Sequence, residues 1–167
     1  MKKFLVFLVV LVLVVGSAGF CIYATISFSG TVTLDQKSEL AEAVADYVKE
    51  DSGKTLKNVK IVKTKADSAT DGKFAWVLYQ NPEGVGVAVL ESSGIFKGHY
   101  KVKNSSFADN PAGQPVLLAA TVDRQSAAVM GGVDMKDRNY KADGGKGMTL
   151  TGRPDSQGRL LVGKVSE

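Results

Sequence analysis

Apolar and polar residues follow three successive patterns along this chain. The first is unbroken: residues 4–26, FLVFLVVLVLVVGSAGFCIYATI, contain no charged residue and follow directly on Lys2 and Lys3. The second has helical spacing. Leu40, Val44, Tyr47 and Val48 recur every three or four positions, while Glu39, Glu42, Asp46 and Lys49 fall on the opposite side. This predicts an amphipathic helix over 35–52, with Thr33 or Asp35 as its N-cap and Gly53 as its C-terminal stop.

From residue 56 the period falls to two. NVKIVKTK (58–65), KFAWVLYQ (73–80), GVGVAVLE (84–91) and FKGHYKVK (96–103) read as strands. Asn81-Pro82-Glu83-Gly84 carries proline at the second turn position and glycine at the fourth, which predicts a type I turn and makes 73–91 a hairpin. Ser92-Ser93-Gly94 marks the next reversal and 107–114 a loop. PVLLAATV (115–122), SAAVMGGV (126–133), GMTLT (147–151) and RLLVGKV (159–165) follow as further strands. The pattern predicts an α+β fold: a membrane helix, then one amphipathic helix packed on an antiparallel meander of about six to eight strands.

The first pattern sets the compartment. A helix of 23 residues spans about 35 Å, enough for a hydrocarbon core of about 30 Å. Gly16-Ser17-Ala18 has the small residues a signal peptidase reads, so a secreted form cleaved after Ala18 is the alternative. The apolar run continues past that site through Phe20, Cys21, Ile22 and Tyr23, and the next charge is Asp35, which favours a retained anchor. Phe20 directly before Cys21 departs from the small residue that a lipid-modified cysteine requires there. With the lysines inside, the expected organisation is an anchor over 1–26 with a cytoplasmic amino end, a short tether over 27–34 and an extracytoplasmic domain over 35–167.

The short basic start, the single apolar span, the helix and the hairpin FAWVLYQNPEGVGVAVLESSGIFKGHYKV together resemble small single-pass membrane-anchored proteins of Gram-positive bacteria. The resemblance implies a membrane-tethered architecture and no particular activity, so it assigns a role to no residue.

Composition removes several function classes. The chain has 167 residues and a net charge of +4; without Lys2 and Lys3, 19 lysines and arginines face 17 acidic residues, a balance too even for a nucleic-acid partner. The single cysteine, Cys21, lies in the apolar run, so the domain forms no internal disulfide, and one histidine cannot build a zinc site. No serine precedes a lysine by three residues, and no Gly-x-Ser-x-Gly elbow occurs. DGGKGMT (143–149) has Gly147 where a phosphate loop needs serine or threonine, and GVGVAV lacks the third glycine of a dinucleotide fingerprint. Asp134, Asp137, Asn139 and Asp143 gather around one segment without EF-hand spacing and read as turn formers. Glu83 and Glu91 form an acid–base pair only if folding brings them together. His99 reads as a strand residue and Trp76, among Phe74, Leu78 and Tyr79, as core. No catalytic, metal or cofactor-binding residue is expected, and no cofactor.

What remains is the densest basic run, Lys54, Lys57, Lys60, Lys63 and Lys65. Strict alternation places Lys60 on one face of its strand and Lys63 with Lys65 on the other. These lysines either protect an edge strand or contact an anionic surface. The expected function is a non-enzymatic module, held to the bilayer by its N-terminal helix, that contacts a protein or an envelope polymer. An envelope enzyme using paired carboxylates, with or without a metal ion, is the alternative.

Overall fold

The computed structural model describes residues 30–93, 97–109 and 113–166. The anchor expected over 4–26 lies outside the described residues, as do Gly94 and Phe96. Among the described residues, no helix is long and apolar enough to cross a membrane.

Among the described residues one helix, α1 (Lys37–Ser52), precedes nine strands: β1 (Lys60–Ala66), β2 (Phe74–Asn81), β3 (Gly84–Ser92), β4 (Tyr100–Asp109), β5 (Val116–Val122), β6 (Gln125–Gly132), β7 (Tyr140–Asp143), β8 (Thr149–Gly152) and β9 (Leu160–Ser166). They form a four-stranded front sheet in the order β1-β2-β3-β4, a three-stranded back sheet β5-β6-β9 and a two-stranded hairpin β7-β8. All the ladders are antiparallel. The fold is thus α+β, with a helix on antiparallel sheet. The single meander of six to eight strands is replaced by three sheets stacked in layers.

The cause of the layering is visible in β2 and β3. Residues 74–79 and 84–90 are buried without interruption, so both faces of these central strands need apolar cover. On one face, Ala75, Val77, Tyr79, Ala88 and Leu90 meet Leu40, Val44 and Val48 of α1. On the other, Phe74, Trp76, Leu78, Val87 and Val89 meet Leu118, Ala127, Val129 and Leu161 of the back sheet. β6 is itself buried on both faces, and its Ala128 and Met130 are covered by Tyr140, Met148 and Leu150 from the outer hairpin. Fully burying each large side chain contributes about 1.5–3 kcal/mol, so the two faces of β2 hold much of the core energy.

Close approach at two glycines sets the spacing. Tyr79 lies across Gly86, its register partner, where an added Cβ would stand 2.1 Å from the ring. Trp76 lies under Gly163 of β9 at 2.2 Å by the same measure. Aromatic rings thus fill the space that these glycines leave on their strands.

The turns follow local chemistry. Gly53 ends α1 in the left-handed region at φ 73°, its N–H donating to the Lys49 carbonyl at 2.9 Å. At the other end neither Thr33 nor Asp35 caps the helix. Gln36 occupies the N-cap position without a side-chain capping bond, and its Oε1 accepts instead from the Thr33 hydroxyl at 2.7 Å. Asp123 and Arg124, at φ 46° and 68°, form the two-residue loop of the β5–β6 hairpin, as a type I′ turn requires.

Three further boundaries differ from the sequence pattern. Val32, inside the expected tether, is 7 % exposed and exchanges backbone hydrogen bonds of 2.9 and 2.8 Å with Tyr100, so the folded part includes it. β4 begins at Tyr100 and runs to Asp109, taking Phe107 out of the expected loop. β7 stands where acidic and asparagine residues signalled only turns, because Tyr140 and Ala142 alternate inward beneath β6.

Two stability predictions test this packing in full-length protein in neutral detergent, by urea unfolding followed through Trp76 fluorescence. Val44→Asp buries an unpaired charge and is expected to cost about 3 kcal/mol or more, whereas Glu42→Ala, on the solvated side, should stay within about 0.5 kcal/mol. Equal losses would mean that the helix presents a different face. Gly163→Ala is expected to cost about 1–3 kcal/mol by overpacking. It should also shift the Trp76 emission, and an unchanged spectrum with unchanged stability would contradict the contact.

Candidate functional site

The basic run occupies the outer edge of the front sheet, and a bulge decides which way it faces. Lys60 pairs with Gln80 and Ile61 with Tyr79, but the next pair is Lys63 with Leu78, so Val62 is the extra residue. One extra residue inverts the parity of everything after it. Lys60, Lys63 and Lys65 therefore share the face of Gln80, Leu78 and Trp76, correcting the separation that strict alternation gives.

The five lysines do not act alike. Lys54 is drawn into the other side of the fold, where its ammonium pairs with Asp109 and, at 3.9 Å, Glu83, over the Phe107 ring at 4.4 Å. Lys63 donates to Asp155 Oδ2 at 2.9 Å. Asp155 is 26 % exposed and also accepts from Arg159 Nε at 3.0 Å and from the backbone N–H groups of Gln157 and Arg159 at 3.0 Å each. The Lys63 hydrogen bond, supported by these backbone donors, holds the Asp155 carboxyl well below the usual carboxylate range against the opposing effect of burial. Lys57, Lys60 and Lys65 are exposed and form no ion pair among the described residues.

Lys60 lines a half-open cleft of about 520 Å³ together with Asn58, Gln80, Asn81 and Pro82. The Asn81 amide has a fixed orientation. Its Oδ1 accepts the backbone N–H groups of Glu83 at 3.0 Å and Gly84 at 2.9 Å, closing the hairpin turn. Its Nδ2 is buried and has no acceptor among the described residues. Sequence reasoning used Asn81 only as a turn former. The signal for more was that an amide whose oxygen closes the turn must present its nitrogen elsewhere.

Other sequence candidates are separated. Glu83 stands in the turn before β3 and Glu91 near the strand's other end, about 25 Å away at 3.4 Å per residue, so they form no acid–base pair. The Glu91 side chain is 5 % exposed and is compensated by Lys103 at 3.3 Å and Lys73 at 3.6 Å. Arg153 grips Asp137 through Nε and, at 2.9 Å, Nη2, while Asp143 Oδ1 accepts the Gly145 N–H at 2.8 Å. Asp134 and Asn139 are exposed. Among the described residues, no group of three or more His, Cys, Asp or Glu is placed to hold a metal ion. His99 stands in the turn before β4, its carbonyl accepting the Ser93 N–H at 2.8 Å, and Trp76 is fully buried. A second cleft, about 450 Å³ between α1 and β4, is lined by Glu39, Glu42, Asp46 and Glu50 with Lys101, so the acidic helix side lies apart from the free lysines.

The ends of the front sheet can now be ordered. Gly30 and Val32 enter at the Tyr100 end of β4. Lys60 lies in the row Lys60–Gln80–Val85–Ala108, eight residues further along β4, or about 25 Å at the usual strand rise. The cleft is at the end opposite the chain's entry.

Comparison with protein-family models, with curated proteins and with solved structures finds no match.

The Asp155 ion pair yields a pH prediction. A carboxyl whose pKa is depressed in the folded state adds stability that is complete above its unfolded value of about 3.9 and is lost as pH falls below it. Asp155→Asn should lower Tm at pH 7, and its difference from wild type should close only below about pH 4. A difference that stays constant from pH 7 to pH 2.5 would show that the carboxylate charge contributes nothing.

Proposed function

We propose that this chain is a membrane-tethered, extracytoplasmic, non-enzymatic module that contacts an envelope polymer through the end of the domain facing away from the bilayer. The observation that carries the reading is the placement of the two ends. The apolar run finishes at Ile26 and Val32 is already paired with Tyr100 in the sheet, so five residues separate the two and limit their distance to about 20 Å. With 4–26 in the bilayer and the strands of the front sheet standing upright on it, the Tyr100 end lies near the membrane and Lys60 about 25 Å further out.

That distance changes what the lysines can reach. Each lysine near an anionic bilayer contributes about 1 kcal/mol, but the attraction decays within about 8 Å at physiological salt. Lys60, at the far end, is beyond it. Its partner in this reading is an anionic polymer outside the membrane, and tethering supplies the local concentration that so sparse a charge needs for a useful contact. The resemblance to single-pass membrane-anchored proteins of Gram-positive bacteria agrees with this placement.

Two measurements on full-length protein test the reading. The protein should stay with membranes through an alkaline wash and keep its amino terminus; a mature form starting at Gly19 would overturn the tether. In neutral detergent it should co-sediment with purified insoluble envelope polymer at low salt and release as salt rises. Absence of binding at low salt, or binding that persists unchanged in high salt, would overturn the polymer contact.

A further inference from the structure

We propose that the cleft formed by Asn58, Lys60, Gln80, Asn81 and Pro82 is a binding site for a phosphate group carried by an anionic polymer. The inference deepens the proposed polymer contact and rests on it for the source of the ligand, though not for the chemistry of the site.

The argument begins with donors. An ammonium offers three N–H donors and no acceptor, and an amide whose oxygen is already used offers only N–H. Lys60 is of the first kind. Asn81 is of the second, because Oδ1 takes the N–H groups of both Glu83 and Gly84. The Asn81 Nδ2 is sealed from solvent and has no acceptor among the described residues, so Asn81 lines the cleft without offering that donor at its surface. Asn58 and Gln80 add amides to the same wall, and no carboxylate lines it.

The nearest acidic groups are committed elsewhere. Glu83 and Asp109 both face Lys54, and Asp155 is held by Lys63 and Arg159. Lys60 is thus left uncompensated while its paired neighbours are neutralised. The bulge at Val62 contributes directly: it lets Lys63 turn toward Asp155 on the same face on which Lys60 stands beside Gln80. An oxyanion accepting from the Lys60 ammonium and from the Asn58 and Gln80 amide N–H groups satisfies this set with charge-assisted bonds. At about 520 Å³ and open on one side, the cleft admits a phosphate while the chain that bears it continues outward.

The test uses full-length protein in nanodiscs of phosphatidylcholine, observed by ¹H–¹⁵N NMR of the side-chain amides. Inorganic phosphate and then soluble polyphosphate are titrated in. Saturable movement of the Asn81, Asn58 and Gln80 side-chain resonances is expected, tighter for the polymer. Lys60→Gln should weaken it about tenfold. Asn81→Asp keeps an acceptor for the turn but adds a negative charge to the cleft wall, and should abolish binding in a protein that still folds. Lys65→Gln, which changes an exposed lysine outside the cleft, should leave the affinity unchanged.

The proposal fails if those resonances do not move, or if Lys65→Gln weakens binding as much as Lys60→Gln, since the contact is then diffuse charge. Movement on replacing phosphatidylcholine by phosphatidylglycerol, without polyphosphate, would assign the site to lipid and overturn the polymer source. If Lys60→Gln and Asn81→Asp leave co-sedimentation with envelope polymer intact, this cleft is wrong while the module stands. Loss of both polyphosphate and envelope binding in these variants supports the two readings together.

Discussion

The structure depends on one constraint: β2 and β3 are apolar on both faces. A strand with a polar outer face could have rested on α1 alone, and the domain would have ended as a two-layer fold. Here Trp76, Phe74 and Leu78 point away from the helix and must be covered. The back sheet supplies that cover, but β6 brings its own second apolar face, with Ala128 and Met130 pointing outward. The β7–β8 hairpin, inserted between β6 and β9, closes the sequence of layers with exposed Lys141, Asp143, Thr149 and Thr151. Each layer is thus the consequence of the one before it.

Most elements are legible from local signals, whereas their assembly depends on contacts between residues far apart in the chain. The hairpin over 73–91 is legible because Pro82 and Gly84 set the turn and the flanking runs are continuous. α1 is legible because Leu40, Val44 and Val48 keep one register and Gly53 stops it at a left-handed C-cap. The division into three sheets is not. Unbroken apolar runs such as FAWVLY say that two faces are buried without saying what buries them. β7 was hidden because its four residues carry two charges, and Tyr140 becomes an inward residue only through Met148 and Leu150 across the hairpin. The N-cap was misread because Thr33 and Asp35 are good cappers by type, whereas the turn starts at Gln36.

The same distinction applies to the candidate site. Its basic character is plain from the spacing of the lysines, but its facing is not, because a bulge leaves no residue-type signature in KIVKTKA. One skipped residue, Val62, moves Lys63 and Lys65 to the side that holds Lys60. Ion pairing then selects among them, and its partners are distant in sequence: Asp109 for Lys54 and Asp155 for Lys63. Counting lysines therefore overstates the available charge. Only after folding does the run resolve into three cations without an ion pair among the described residues, one of them in the cleft beside the hairpin turn.

Energetics favour a tethered, additive contact over a tight and isolated one. Exposed lysines interact weakly and are screened by salt, so the free cations cannot by themselves hold a partner against the loss of translational freedom. In the proposed module, a short link to the bilayer would lower that entropic cost before any contact forms, and a polymer presenting many equivalent charges would let a weak site be refilled as soon as it empties. Under these conditions a single well-directed hydrogen bond matters more for selectivity than another lysine would. A cation attracts every anion alike, whereas amides such as those of Asn58 and Gln80 favour an acceptor at one position. The turn that closes the β2–β3 hairpin also builds one wall of the cleft, through Asn81 and Pro82, so folding and the proposed recognition draw on the same residues.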